Sequence, residues 1–296
     1  MSKRNIIVII LIAWIALSGC VKVPEQPVVY GGYGYEAAQE VDCFDEMGTL
    51  IVGEAPSANS SAELNSQAFR VLNWNSYKGN RKGWEEDLER LGGESDIIVL
   101  QEGFLTESLQ DLLQLQQFRW DIASAFTYYD VHTGVLTASR VEPESLCSFM
   151  VMEPISGLPK TVLVTSYPLS DSEKKLLVVN LHMINFTLDS TVYRSQLETV
   201  AQVLQQHDGP FIMAGDFNSW SDKRMSILTE ITEQLLANQL TFRDDKRTSF
   251  MGNVVDHIYY RGLVPIDSLT EEVSTSDHNP MLVTFRLAKE NVLYVH

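Results

Sequence analysis

Cysteine is scarce in this chain, with 3 in 296 residues. That excludes a disulfide-framework scaffold and a multi-cysteine zinc domain. Basic charge is scarce as well: 22 Lys and Arg stand against 39 Asp and Glu, a formal net charge of −17. Such a balance argues against a broad electrostatic grip on nucleic acid or on anionic lipid headgroups, though not against a local basic patch. The apolar run Ile6–Leu17 has only twelve residues, short of the roughly 18 needed to span a bilayer. Internal repeats and low-complexity tracts are missing. So are a Gly-x-Ser-x-Gly nucleophile turn and a phosphate loop ending in Gly-Lys-Ser/Thr. Serine-hydrolase and nucleoside-triphosphatase chemistry therefore lack their motifs.

What is present is ordinary globular composition, 45% hydrophobic and 21% charged, which excludes a disordered or fibrous chain. The length suits one large domain or two small ones.

Residues 1–19 read as an export signal: Lys3 and Arg4, the apolar run, then Leu17-Ser18-Gly19 before Cys20. Small residues before a cysteine at this point resemble a bacterial lipobox, which implies cleavage before Cys20 and lipidation of it. An uncleaved anchor or a plain secretory signal are the alternatives. The lipobox places the protein in the bacterial cell envelope, held to a membrane by acyl chains, on the periplasmic face. Cleavage removes Lys3 and Arg4 and no acid, so 22 basic residues become 20 against 39 acidic, a formal −19. Cys43 and Cys147 remain. Outside the cytoplasm they can pair, tying the N-terminal segment to the domain; two buried free thiols are the alternative.

Residues 20–66 hold Pro24, Pro27, Gly31, Gly32, Gly34, Pro56 and the run Ser57–Ser61 without sustained periodicity. They read as a lipidated N-terminus and linker, with a short ordered piece around Val41–Val52. From residue 67 to 288, short apolar runs alternate with helical patterns, and 289–296 reads as a tail. Strands are expected at 69–74, 97–100, 161–165, 176–181, 211–214, 254–260 and 281–285. Tyr193, Leu197, Val200, Ala201 and Leu204 form one helical stripe, and Leu228, Ile231 and Leu235 a second behind Ser221 as N-cap. Trp84, Leu88 and Leu91 give a shorter one. This mixture implies one layered α/β domain.

Polar side chains follow strand after strand: Asn75, Gln101-Glu102, Asn180 and His182, Asp216 and Asn218, Asp256, and Ser276-Asp277-His278 before the last strand. Ligands of layered α/β proteins bind at strand ends, so these groups are expected in one pocket. The period of two separates Asp256 from His257, making Asp256 the functional choice and His257 a structural histidine. Each fragment alone is a weak signal and reads more readily as a turn, a cap or a solvated loop.

Together and in this order they are similar to the endonuclease/exonuclease/phosphatase family, which includes deoxyribonuclease I. The resemblance rests on Leu72-Asn73-Trp74-Asn75, Val99-Leu100-Gln101-Glu102, Gly134 to Arg140, Val179-Asn180-Leu181-His182, Gly215-Asp216-Phe217-Asn218, Val255-Asp256-His257-Ile258 and Ser276 to Pro280. Asn73 to Lys78, Val192-Tyr193 and Met213 to Trp220 also look like a bacterial subgroup, from which the lipobox is a departure. The resemblance implies a four-layer α/β/β/α sandwich and a divalent-metal-dependent phosphoester hydrolase, a phosphodiesterase with nucleic acid among its candidate substrates.

By that resemblance Glu102 is the principal metal ligand, with Asn75 beside it and Asp277 close by. Glu, Asp and Asn oxygens suit Mg²⁺ or Mn²⁺. His278 is the implied acid/base group, oriented by Asp256. Asp216 and Asn218 position water and a phosphate oxygen, and His182 contacts a non-bridging oxygen or protonates the leaving group. Lys78, Arg81, Lys82, Lys223 and Arg224 form either a basic rim or a solvated face, and Arg140 matches a family position or makes a structural salt bridge. The expected state is a monomer. Two other readings stay open: a small-molecule or phospholipid phosphoesterase, and a lipid-anchored binding protein on an inactive hydrolase scaffold.

Overall fold

In the strand Phe69–Asn75, Phe69 and Val71 point to one apolar cluster while Leu72 and Trp74 point to another. Both sets are buried, so this strand lies in a sheet covered on both faces. The same sorting holds along the neighbouring strands and generates the layers. The computed structural model describes residues 20–289, apart from 33–38, 46–47, 51–52, 55–61 and 188. The expected signal and nearly all of the expected tail lie outside the described residues.

Two sheets face each other. The larger runs in the order Leu263–Thr270, Met281–Leu287, Phe69–Asn75, Ile97–Phe104, Val131–Ser139, Arg119–Tyr128, Val28–Gly32 and Gln39–Glu40, with Val21–Lys22 also on Arg119–Tyr128. The smaller runs Asn238–Gln239, Asp256–Arg261, Phe211–Asp216, Leu176–His182, Pro159–Tyr167, Ser145–Met152 and Gly53–Glu54. Between them lies a layer of β-branched and aromatic side chains including Val71, Val99, Val178, Ile212, Ile258 and Val283.

Helices cover the outer faces. α1 (Trp84–Gly92) and α2 (Glu107–Leu115) bury Trp84, Leu88, Leu109 and Leu113 on the larger sheet. α3 (Thr191–Gln205) buries the expected stripe from Tyr193 to Leu204 on the smaller sheet, beside α4 (Asp222–Gln234). Ser221 caps α4, its hydroxyl accepting the Arg224 N–H at 3.4 Å. The result is the expected α/β/β/α sandwich.

The stretch read as a linker differs from that reading. Val21–Lys22 and Val28–Gly32 pair with Arg119–Tyr128 on the larger sheet, while Gly53–Glu54 pairs with Leu146 and Ser145 on the smaller. Cys43 donates its backbone N–H to the Ser148 carbonyl at 3.0 Å and is disulfide-bonded to Cys147, 104 residues away. Val29 packs with Ala123, Leu146 and Leu163 between the sheets. The segment is a strap that covers a sheet edge on both layers. Strands otherwise presenting unpaired N–H and C=O groups are satisfied there.

Candidate active site

The expected polar residues are continuations of the inter-sheet apolar layer. Phe69 and Val71 lead on the same face to Asn73 and Asn75; Val178 leads to Asn180 and His182; Ile212 and Ala214 lead to Asp216. Strand pairing brings the ends level. His182 lies opposite Asp216, Asp216 opposite Asp256, and Asn75 opposite Gln101. The core therefore becomes polar at one end of the sandwich.

Asp216 stands at the centre of the group. Its Oδ2 accepts from Asn75 Nδ2 at 3.1 Å and lies 3.4 Å from His182 Nε2 and 3.9 Å from His278 Nε2. Its Oδ1 accepts the Asn218 backbone N–H at 2.9 Å. Gly215 makes this turn possible. It has φ +155°, and an added Cβ would fall 1.9 Å from the Leu181 carbonyl oxygen. His278 Nδ1 donates to Asp256 Oδ2 at 2.7 Å. Trp74 holds the His278 segment by donating Nε1–H to the His278 carbonyl at 2.9 Å, and Ser276 Oγ donates to the Asn75 carbonyl at 2.7 Å.

Charge is unevenly distributed over this group. Burial pulls the His278 imidazole down, but the Asp256 carboxylate, helped by Asp216 and Asp277, outweighs it and holds the group up at about 10. Burial pushes Asp216 up, Asp256 adds to the push and His278 opposes it, leaving the carboxyl at about 6. Burial, then the charges of Lys160 and His278, hold His182 well below its ordinary value. His278 is thus an imidazolium at neutral pH and His182 is neutral.

Glu102 is placed by a backbone irregularity. Strand parity would give it the helix-facing side of Leu100 and Ile98, but a register shift lies between Leu100 and Gly103, and Glu102 has φ +51°. A non-glycine residue in that region is strained and re-aims its side chain. The carboxylate forms an ion pair with Lys78. Asn218, at φ +47°, donates Nδ2 to the Met183 carbonyl at 2.9 Å. Asp277 is exposed beside His278.

Several expectations are corrected. Asn180 stays out of the cluster; it accepts from Gln101 Nε2 at 2.9 Å and donates to the carbonyls of Leu136 and Leu100, tying the two sheets together. Arg224 is no rim residue. It is buried between the Tyr193 and Trp220 rings and donates to the carbonyls of Ile184, Asn185 and Asn218. Arg81 donates to the Ser274 and Ser276 carbonyls, whereas Lys82 and Lys223 are exposed. Arg140 makes no salt bridge among the described residues; it clamps the carbonyls of Gly93, Ser95 and Gln116 over the Phe118 ring. His257 is structural as expected, with Nε2 against Ser219 Oγ at 2.8 Å and Nδ1 against Gln239 Nε2 at 2.9 Å.

Sequence reasoning missed Lys160. Its Nζ donates to His182 Nε2 at 2.9 Å, and burial lowers its pKa. Its parity puts it with Val162 and Val164 on the helix-facing side, and it reaches the site by side-chain length. A lysine in an otherwise uncharged strand was the available signal.

Residues 65–278 match the profile of the Endonuclease/Exonuclease/phosphatase family. The chain belongs to this family. It is 34% identical over 283 residues to a UPF0294 protein of Vibrio campbellii, covering 95% of this chain and 96% of that one. Among solved structures it resembles the human Nocturnin catalytic domain, with TM-score 0.59, 16% identity and coverage of 77% of this chain and 97% of that chain. It also resembles ANGEL2, described as a 2′,3′-cyclic phosphatase, with TM-score 0.58, 15% identity and coverage of 82% and 100%. At these identities the two structures speak for the fold.

The donor set fits a hard divalent cation, since it consists of carboxylate and amide oxygens with one or two imidazoles and no thiolate. Among the described residues, Asp216, Asp256 and His278 bring ligand atoms within 4.8 Å of one another, and Asp256 Oδ1 is buried without a hydrogen-bond partner. Within that trio, however, His278 already carries a proton toward Asp256. Glu102 and Asn75, to which the sequence resemblance points, are the second candidate pair of oxygen donors.

Proposed function

We propose that this protein is a divalent-metal-dependent phosphoester hydrolase that uses water as its nucleophile. The observation that carries this reading is the buried Asp216 carboxylate within 3.9 Å of both His182 and His278. It is a base beside two imidazoles of opposite charge state, at the mouth formed by strand ends.

Mg²⁺ or Mn²⁺ would be held by Glu102 and Asn75, with Asp277 at the edge, and would polarise the phosphoryl oxygen. The chain's own groups do the rest. Asp216 Oδ2 takes the proton of the attacking water. The His278 imidazolium, oriented by Asp256, donates Nε2–H to a phosphoryl oxygen. Asn218 holds Asp216 and the turn in place. His182, supplied from the Lys160 ammonium, protonates the leaving oxygen as its bond to phosphorus breaks. One copy of the chain carries all of these groups, so the reading is of a monomer and calls for no second subunit. The lipobox-like Leu17-Ser18-Gly19-Cys20 supports lipidation at Cys20 and attachment to a membrane of the bacterial envelope, on the periplasmic side.

The test is hydrolysis of bis(p-nitrophenyl) phosphate by the full chain. Activity should require Mg²⁺ or Mn²⁺ and stop with chelator. Asp216→Asn, a near-isosteric change, should lower kcat by about 10²–10⁴. Equal rates for wild type and Asp216→Asn would sink the reading.

A further inference from the structure

We infer that the mouth of the active site is the membrane-facing surface of this protein, and that its phosphoester is drawn from the headgroup layer of the bilayer. What this says of substrate rests on the hydrolase reading above; what it says of orientation does not.

The first observation is where the chain enters. Cys20 accepts the Tyr129 backbone N–H at 2.9 Å through its carbonyl, and Val21–Lys22 pairs with Tyr128 and Thr127. Residue 20 is therefore fixed at the tip of the hairpin formed by Arg119–Tyr128 and Val131–Ser139. This holds whether the membrane tether is an acyl chain on Cys20 or the uncleaved run Ile6–Leu17.

The second observation is which way that tip points. Gly134 pairs with Gly103, next to Glu102. Tyr129 lies five positions beyond Gly134, on the order of 16 Å further along the strand direction. The tether and the catalytic group therefore share one end of the sandwich.

The third is what else that end displays. Tyr128, Tyr129, Ile155, Phe186, Phe250 and Met251 are between 42% and 73% exposed. They sit on four separate loops: three border a strand that carries a site residue, and the fourth is the hairpin tip that meets Cys20. Ile155 lies in the turn before Pro159–Tyr167, which carries Lys160. Phe186 follows His182. Phe250 and Met251 sit in the short hairpin just ahead of Asp256. At the opposite end the exposed large apolar residues are isolated: Leu115 and Leu236 at helix C-termini, and Ile266 on an edge strand level with Phe69.

Apolar and aromatic loop tips ringing one face mark a surface that leaves water. Aromatic rings settle at headgroup depth. The net charge of −17 makes this contact apolar rather than electrostatic. The occupant is the bilayer itself.

The experiment uses full-length protein in vesicles of phosphatidylethanolamine and phosphatidylglycerol carrying a diazirine phospholipid, with cross-links mapped by mass spectrometry. Labelling should concentrate in residues 127–131, 152–156, 185–187 and 249–252, at least fivefold above peptides bearing Leu115 or Leu236. Equal labelling of both ends, or labelling confined to residues before 24, overturns the orientation. The triple variant Ile155→Ser/Phe250→Ser/Met251→Ser should hydrolyse bis(p-nitrophenyl) phosphate within twofold of wild type, yet release headgroup phosphate from the vesicles at least tenfold more slowly. Equal loss on both substrates, or a wild type that cleaves the soluble probe and no vesicle lipid, overturns the substrate assignment. Absence of any activity on the soluble probe counts against the hydrolase reading, while the cross-link map still decides the orientation.

Discussion

His278 Nδ1 and Asp256 Oδ2 lie 2.7 Å apart, from residues 22 positions distant in the chain. Asp256 is anchored in the smaller sheet, whereas His278 precedes a strand of the larger one. The contact therefore closes across the two sheets, and both layers must be assembled before the imidazole has its counter-ion. The same contact keeps His278 protonated.

From it follows a pH profile. With Asp216 at about 6 and His278 at about 10, kcat/KM should rise through the first value, as the base loses its proton, and fall through the second, as the imidazolium is lost. Asp256→Asn removes the charge that holds His278 up. The alkaline limb should move toward pH 7, with a drop of about 10²–10⁴ at the plateau. An unmoved alkaline limb in this variant would show that His278 does not set it.

Lys160 is a half-buried ammonium whose neighbour is His182. Lys160→Met fills similar space without desolvating a charge. Its midpoint of thermal unfolding should hold or rise, while kcat falls by about tenfold or more. Calorimetry and steady-state rates on the same preparation check both halves.

Burial and the Arg247 charge hold His257 at about 3, against an ordinary 6.5. Folding therefore excludes a proton that the unfolded chain accepts. The resulting stability is present above pH 6.5 and is lost as pH falls toward about 3. Within that window each pH unit costs about 1.4 kcal/mol at this site. Urea denaturation from pH 7 to pH 4 should show a shallower loss for His257→Gln than for wild type.

The Cys43–Cys147 bond closes a loop of 104 residues. Cys43→Ser/Cys147→Ser should lower stability by about 2–5 kcal/mol, and reductant should lower the wild type alike while leaving the variant unchanged. Denaturant midpoints measured with and without reductant decide it.

Strands with continuous apolar runs were legible because both faces are buried. So were the polar residues at their ends, because Asn75, His182 and Asp216 recur at the end of one such run after another, a repetition that a single turn or cap does not explain. The hairpin from Arg119 to Ser139 was not. Its turn residues Tyr129 and Asp130 adopt positive φ without the glycine that usually signals such a turn. Arg224 and Arg140 were misread because a sequence shows a charge and hides the carbonyls it serves. Glu102 owes its position to a bulge that no periodicity announces. The strap was hidden by its prolines and glycines, which read as a linker wherever no partner strand is in view.

That strap carries a consequence for biogenesis. Its sulfur–sulfur bond forms only where thiols are oxidised, so a chain kept among reductants has the strap held over its two β-margins by strand pairing alone, and those margins open to a second copy more readily. Completion of the fold is thus coupled to the redox state of the surroundings in which the chain folds, and molecules that lack this one bond are the ones expected to aggregate.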